Sequence, residues 1–131
     1  MEPLDFTDRV CDCLRAAGLR GVLPCPPDAG AHREWCSVAV AATGQEDAYF
    51  NLAFDTAMRV TVYVARILDT DAMEDAMAAE RALRTHAPDS ANGSYRLNSI
   101  DTVKPRPVVW DESGRQVWVV EATAHIEIKE F

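Results

Sequence analysis

Four cysteines and three histidines are the residues of this chain best suited to holding a metal or attacking a carbonyl: Cys11, Cys13, Cys25 and Cys36, with His32, His86 and His125. Cys25, His32 and Cys36 fall in or beside one proline-rich stretch, and zinc accepts such a mixture of sulfur and nitrogen. Their spacing matches no compact knuckle. Cys11 and Cys13 stand two apart, so on a helix they point to different faces and are poorly placed to share an ion. We therefore expect small buried hydrophobes or exposed thiols, not ligands. A disulfide framework is not expected either, because Met1-Glu2-Pro3-Leu4-Asp5 has neither the basic nor the apolar region of a secretion signal.

Nucleophilic hydrolysis needs Ser or Cys beside a base that a carboxylate orients. The histidines fall on a loop, a helix end and the polar face of a strand, and none belongs to a recognisable motif. Gly-x-Ser-x-Gly, His-Glu-x-x-His, Walker and dinucleotide fingerprints are missing. His86 reads as a helix C-terminal charge, and His125, between Glu121 and Glu127, as a solvated or interfacial residue. The acids from Asp69 to Asp75 suit a divalent cation in number, but they also suit a helix start whose dipole favours negative charge. The expectation is a non-enzymatic chain with no cofactor and no metal.

The elements that would carry these residues follow from periodicity. Leu4, Phe6, Val10, Cys13, Leu14 and Ala17 recur near 3.6, which predicts a first helix ending at Gly18. Val22 to His32 is irregular, with Pro24, Pro26, Pro27 and Gly30. Cys36, Val38, Val40 and Ala42 alternate as a strand, and Thr43-Gly44-Gln45-Glu46-Asp47 reads as a polar turn. Met58, Val60, Val62 and Val64 share one face of a second strand, with Arg59, Thr61 and Tyr63 on the other.

A second helix spans about Asp71 to Ala87. Met73, Ala76, Met77, Leu83 and Ala87 form its apolar stripe, Asp71 and Glu74 have capping-box spacing, and Pro88 stops it. A third strand over Tyr95 to Val103 contains a slip, and Pro105 with Pro107 forbids a central position in a sheet. A turn at Asp111-Glu112-Ser113-Gly114 leads into the longest alternation, with Trp118, Val120, Ala122, Ala124, Ile126 and Ile128 opposite Glu121, Thr123, His125, Glu127 and Lys129. The pattern predicts an α+β fold: a mostly antiparallel sheet of about four to five strands with two helices packed on one face. Tyr49, Phe50, Leu52 and Phe54 either complete the core or form an exposed contact.

At 131 residues and 14.5 kDa, the chain fits one domain over 1–131. Thirteen Lys and Arg against twenty-one Asp and Glu leave a net charge of −8. Nucleic-acid binding runs on cations that neutralise phosphates, so this balance excludes a tight DNA- or RNA-binding module. A conduit that lets DNA slide past tolerates it. No apolar run approaches the ~20 residues of a membrane span. Alanine supplies 20 residues, and a core of such small side chains buries little area per residue, which favours self-association.

Arg59-Val60-Thr61-Val62-Tyr63-Val64-Ala65-Arg66, the acidic start of an alanine-rich helix, and Tyr95-Arg96-Leu97-Asn98-Ser99-Ile100 together resemble the phage tail-terminator and related minor capsid proteins. The finish resembles them too: Pro107, Val108, then Trp110-Asp111-Glu112-Ser113-Gly114-Arg115 and a long final strand. The resemblance covers most of residues 1–131 in element order, and Tyr49–Phe54 matches it least. It implies a structural protein of long-tailed phages or prophages that caps the tail tube and forms the head–tail joining surface. It further implies a hexameric ring around the DNA path, with the tail tube protein and a head–tail connector as partners. Assembly would take place in the host cytoplasm, and the virion tail would be the destination.

A ring needs two unlike patches on each copy. Candidate interface residues are Tyr49, Phe50, Phe54, Arg59, Thr61 and Tyr63. Candidate lumen residues, whose charge would keep phosphate from sticking, are Asp69, Asp71, Asp75, Glu121, Glu127 and Glu130. Two rival readings stand beside this one. One is another head–tail connector or tail-completion protein; the other is a small α+β ligand-binding or enzymatic domain with a pocket near His125 and Tyr63.

Overall fold

The computed structural model describes residues 5–19, 21–23, 34–48, 53–86, 88–91, 93–108 and 116–129. In chain order they form α1 (Phe6–Ala16), β1 (Val22–Leu23), β2 (Trp35–Ala48), β3 (Ala53–Arg66), α2 (Asp69–Thr85), β4 (Tyr95–Val108) and β5 (Gln116–Lys129). The sheet order is β1-β2-β3-β5-β4. All neighbours are antiparallel except the short parallel pair of β1 with β2. The α+β class, the strand number and the packing of both helices on one face are as the alternation predicts.

That face supplies the core. Cys36 and Val38 of β2, Val60, Val62 and Val64 of β3, and Val120, Ala122, Ala124 and Ile126 of β5 are buried there, against Phe6, Val10 and Leu14 of α1 and Ala76, Ala79 and Leu83 of α2. Burial of such side chains stabilises by roughly 25 cal/mol per Å² removed from water. Gly18 ends α1 at φ +92, a left-handed conformation that costs glycine little. Its N–H donates to Arg15 O and that of Leu19 to Leu14 O, the paired bonds of a Schellman cap. Asp5 does not cap its own helix. Its carboxylate accepts instead from Ser90 Oγ, Ser94 Oγ and the Ala91 amide, tying the start of α1 to the connection before β4.

Three expectations are corrected. Residues 43–47 are no turn: β2 runs on to Ala48, paired with β3, and the extra residues appear as a register shift between Thr43 and Asp47. Thr43 and Asp47 pair with Ala57 and Asp55, so residues 44–46, set against Thr56 alone, form an irregularity inside the strand and do not end it. The second helix starts at Asp69 and ends at Thr85, with Leu68 as an extended N-cap and no side-chain cap bond, so Asp71 and Glu74 form no capping box. Its buried stripe is also rotated from the expected one. Ala72, Ala76, Ala79 and Leu83 face the sheet, whereas Met77 is 56% exposed. Alanine at the contact lets the helix lie close on β3 and β5, and the methionines are turned aside.

β4 is an edge strand, which is where Pro105 and Pro107 can be accommodated. Its pairing with β5 is interrupted twice, at Leu97/Ser99 and at Val103/Arg106. The expected Asp111–Gly114 turn falls outside the described residues. Truncating Leu83 to Ala should lower unfolding free energy by about 2–5 kcal/mol, whereas Met77→Ala should stay within ~0.5 kcal/mol. Urea unfolding followed by circular dichroism measures both, and comparable losses would refute the rotated stripe.

Candidate assembly surfaces

Register places the expected interface and lumen residues. β3 pairs with β5 so that Tyr63 opposes Val119, Thr61 opposes Glu121 and Arg59 opposes Thr123. Cross-strand partners share a face, with strands about 4.8 Å apart. Arg59, Thr61, Tyr63, Glu121 and Glu127 therefore share the face of the sheet that carries no helix. The interface and lumen candidates carried by β3 and β5 thus lie on one face.

This face changes character along its length. At one end Trp35, Ala65 and Val117 are buried together with Tyr63 packed against them, and the buried Trp35 Nε1 has no hydrogen-bond partner among the described residues. In the middle Arg106 pairs with Glu121 at 3.4 Å, and His125 Nε2 lies 3.7 Å from Asp101. At the far end the register aligns Asp47, Asp55 and Glu127 in one row across β2, β3 and β5. Arg96 of β4 adjoins that row opposite Glu127.

The remaining lumen candidates lie across the sheet, where α2 begins. Asp69 Oδ1 accepts from Trp118 Nε1 at 3.0 Å. Asp71 is half-buried. Asp75 Oδ2 accepts from Arg66 Nε at 2.7 Å, and that guanidinium is 0% exposed. Arg66 Nη1 also donates to the carbonyls of Trp35 and Ala65, so one buried cation joins β2, β3 and α2. Tyr49, Phe50 and Glu130 lie outside the described residues. Phe54 is the second residue of β3, paired with Ala48 and Ile128.

One surface was not anticipated. Between α2 and the edge strand β4 runs a groove of ≈ 710 Å³, with Met73, Met77 and Trp118 among its walls and Arg81, Arg84 and Lys104 around them. Arg84 pairs with Glu80, whose other hydrogen bond comes from Thr102 Oγ1. Those contacts, Arg84 first, hold the Glu80 carboxyl below its ordinary value. The missed signal was side-chain size, because alanine every third or fourth residue marks the buried stripe better than methionine does.

The thiols are placed for packing. Cys11 and Cys36 are buried, and Cys13 Sγ donates to Ala82 O and His86 O. Burial pushes all three thiols above their ordinary range, Cys36 to about 12. That opposes the thiolate a nucleophile or metal ligand needs. Among the described residues no group of three or more His, Cys, Asp or Glu is placed to hold a metal, and no helix is long and apolar enough to cross a membrane. Cys25 and His32 lie outside the described residues. His86 sits at the C-cap of α2.

A family model described as bacteriophage tail terminator protein matches residues 14–128. Among solved structures the chain is similar to one from the virion of a native gene transfer agent particle, with a TM-score of 0.56 and 16% identity. The alignment covers 92% of this chain and 93% of that one. A likeness at this identity establishes a shared fold. A search of curated protein sequences returns no match.

Two outcomes test these placements. Asp75→Ala removes the carboxylate partner of a buried guanidinium and should cost about 3–5 kcal/mol, read by urea unfolding; a loss under ~1 kcal/mol would show that the carbonyls suffice. The buried Cys36 thiol has a folded-state pKa above its unfolded value, so the stability it contributes is complete below pH about 9 and is lost as pH rises towards 12. Unfolding free energy should thus fall between pH 8.5 and roughly 10.5, less steeply in Cys36→Ala; equal slopes would contradict the assignment.

Proposed function

The chain belongs to the bacteriophage tail terminator family, and from that premise we propose that it caps the tail tube, forms the head–tail joining surface and acts as a ring of copies around the DNA path. Its part in a phage-type tail is structural, carried by surfaces and not by a reacting group. The family match supports this reading because it extends from the last turn of α1 to near the end of β5, the whole sheet and α2 included. Its partners are further copies of itself in a hexamer, the tail tube protein below and a head–tail connector above. It assembles in the host cytoplasm and ends in the virion tail.

Within that ring the helix-free face has two tasks. Arg59, Thr61 and Tyr63 form an assembly contact, and Glu121 and Glu127 border the DNA path. Carboxylates there repel phosphate, and over a Debye length of about 8 Å the effect reaches only DNA close to the wall. Such a wall does not retard the polymer it must release.

Electron microscopy of the full chain mixed with tail tubes tests this directly. Six-fold rings on tube ends are the expected result, and tubes left uncapped at every concentration would overturn it. Arg59→Glu should keep its circular dichroism and melting temperature yet cap at least tenfold fewer tubes. Wild-type capping by that variant would remove Arg59 from the contact.

A further inference from the structure

We infer that the groove between α2 and β4 receives an extended segment of a partner protein, one in which carboxylates alternate with bulky aliphatic side chains. This goes beyond the ring reading and does not depend on it. Met73, Met77, Pro105 and Trp118 give the groove apolar walls. Arg81, Arg84 and Lys104 stand along it, with Glu80 as the one carboxylate among its described lining residues. That carboxylate is shared. It accepts from Arg84 and from Thr102 Oγ1, and Lys104 acts on it as well. Three cations against one anion leave a surplus of two positive charges, in a chain whose net charge is −8. Arg81 has no ion-pair partner among the described residues.

Shape narrows the occupant further. From Met73 to Arg84 the groove follows α2 for roughly 16 Å, at 1.5 Å per residue. Spread over that length, ≈ 710 Å³ leaves a section of about 45 Å², which an extended chain fills and a helix about 10 Å across does not. About five extended residues cover the distance at ~3.3 Å each. β4 cannot hold them by a continuous ladder, since Pro105 and Pro107 lack an amide N–H and the register slips between Val103 and Arg106. Side chains therefore carry the recognition: carboxylates meet Arg81, Arg84 and Lys104, and aliphatic groups meet Met77 and Trp118. Methionine, tryptophan and arginine are residue types enriched at protein–protein interfaces. The described surface of a second copy does not supply the segment. Its exposed large hydrophobics, Ile67, Leu68, Met77 and Val103, all lie on α2, on β4 or in the connection entering α2, the elements that build the groove. Asp69, beside Ile67 and Leu68, is already held by the groove-wall Trp118 of its own copy.

The test is fluorescence anisotropy of labelled, end-capped five-residue peptides titrated with the full chain at low salt. One peptide alternates aspartate with leucine, a second lysine with leucine, and a third aspartate with serine. The first should saturate with a Kd below about 1 mM, and the other two should bind at least tenfold more weakly. Arg81→Glu with Lys104→Glu should lose at least tenfold for the first peptide and gain as much for the second. Met77→Ser, at a side chain that is already exposed, should keep its circular dichroism and weaken the first peptide at least threefold. Absence of saturable binding by the first peptide would overturn the inference, as would wild-type binding by either folded variant. Sedimentation that shows wild-type dimers, abolished by the charge-reversed variant, would put a second copy in the groove and overturn it too. Tube capping enters none of these readouts, so failure here leaves the ring reading intact, and tubes left uncapped leave this inference intact.

Discussion

The guanidinium of Arg66 is the contact on which the arrangement of this molecule turns. It is wholly buried, and it spends its donors on the Trp35 and Ala65 carbonyls and on Asp75. Taking a charge out of water costs several kcal/mol, and only full pairing offsets it. The geometry at the end of β3 is therefore tightly specified. β2, β3 and the second turn of α2 must all be in place for the ion to be satisfied. That fixes the direction in which the chain leaves the sheet, and so brings Ile67 and Leu68 to the surface and Asp69 to the indole of Trp118.

From that fixed start, side-chain size along α2 decides what the outer surface becomes. Ala72, Ala76 and Ala79 take the inner stripe, which lets the helix approach the sheet closely. Met73 and Met77 then stand beside β4 instead of beneath the helix, and a groove results. The interior itself is chemically quiet. Thiols held above their ordinary range are poor nucleophiles, and the titratable groups on the helix-free face are mostly exposed and paired across strands.

The long alternations of β3 and β5, the end of α1 at Gly18 and the edge position imposed by Pro105 and Pro107 were legible in the sequence because each depends on neighbours within a few residues. The stretch from Thr43 to Asp47 was not. Its composition is that of a turn, and only the pairing of its two ends with β3 keeps it inside the strand. The start of α2 was misread for a related reason: Asp71 and Glu74 have the spacing of a cap, while the chain direction is set by Arg66, which no local pattern reveals. For the assembly surfaces, alternation told which residues of one strand share a face but not how faces align between strands. Register puts Arg59 and Glu121 on one face, while Asp69 lies at the start of α2 on the other side of the sheet.

The broken ladder of β4 has a bearing on how the free chain behaves towards other copies. A solitary copy presents a fourteen-residue outer strand, the kind of border along which β-proteins stack into fibrils and precipitate. Two interruptions and two imino acids deny an incoming chain any long uninterrupted run of amide donors. Sheet-to-sheet polymerisation along that border is thereby disfavoured.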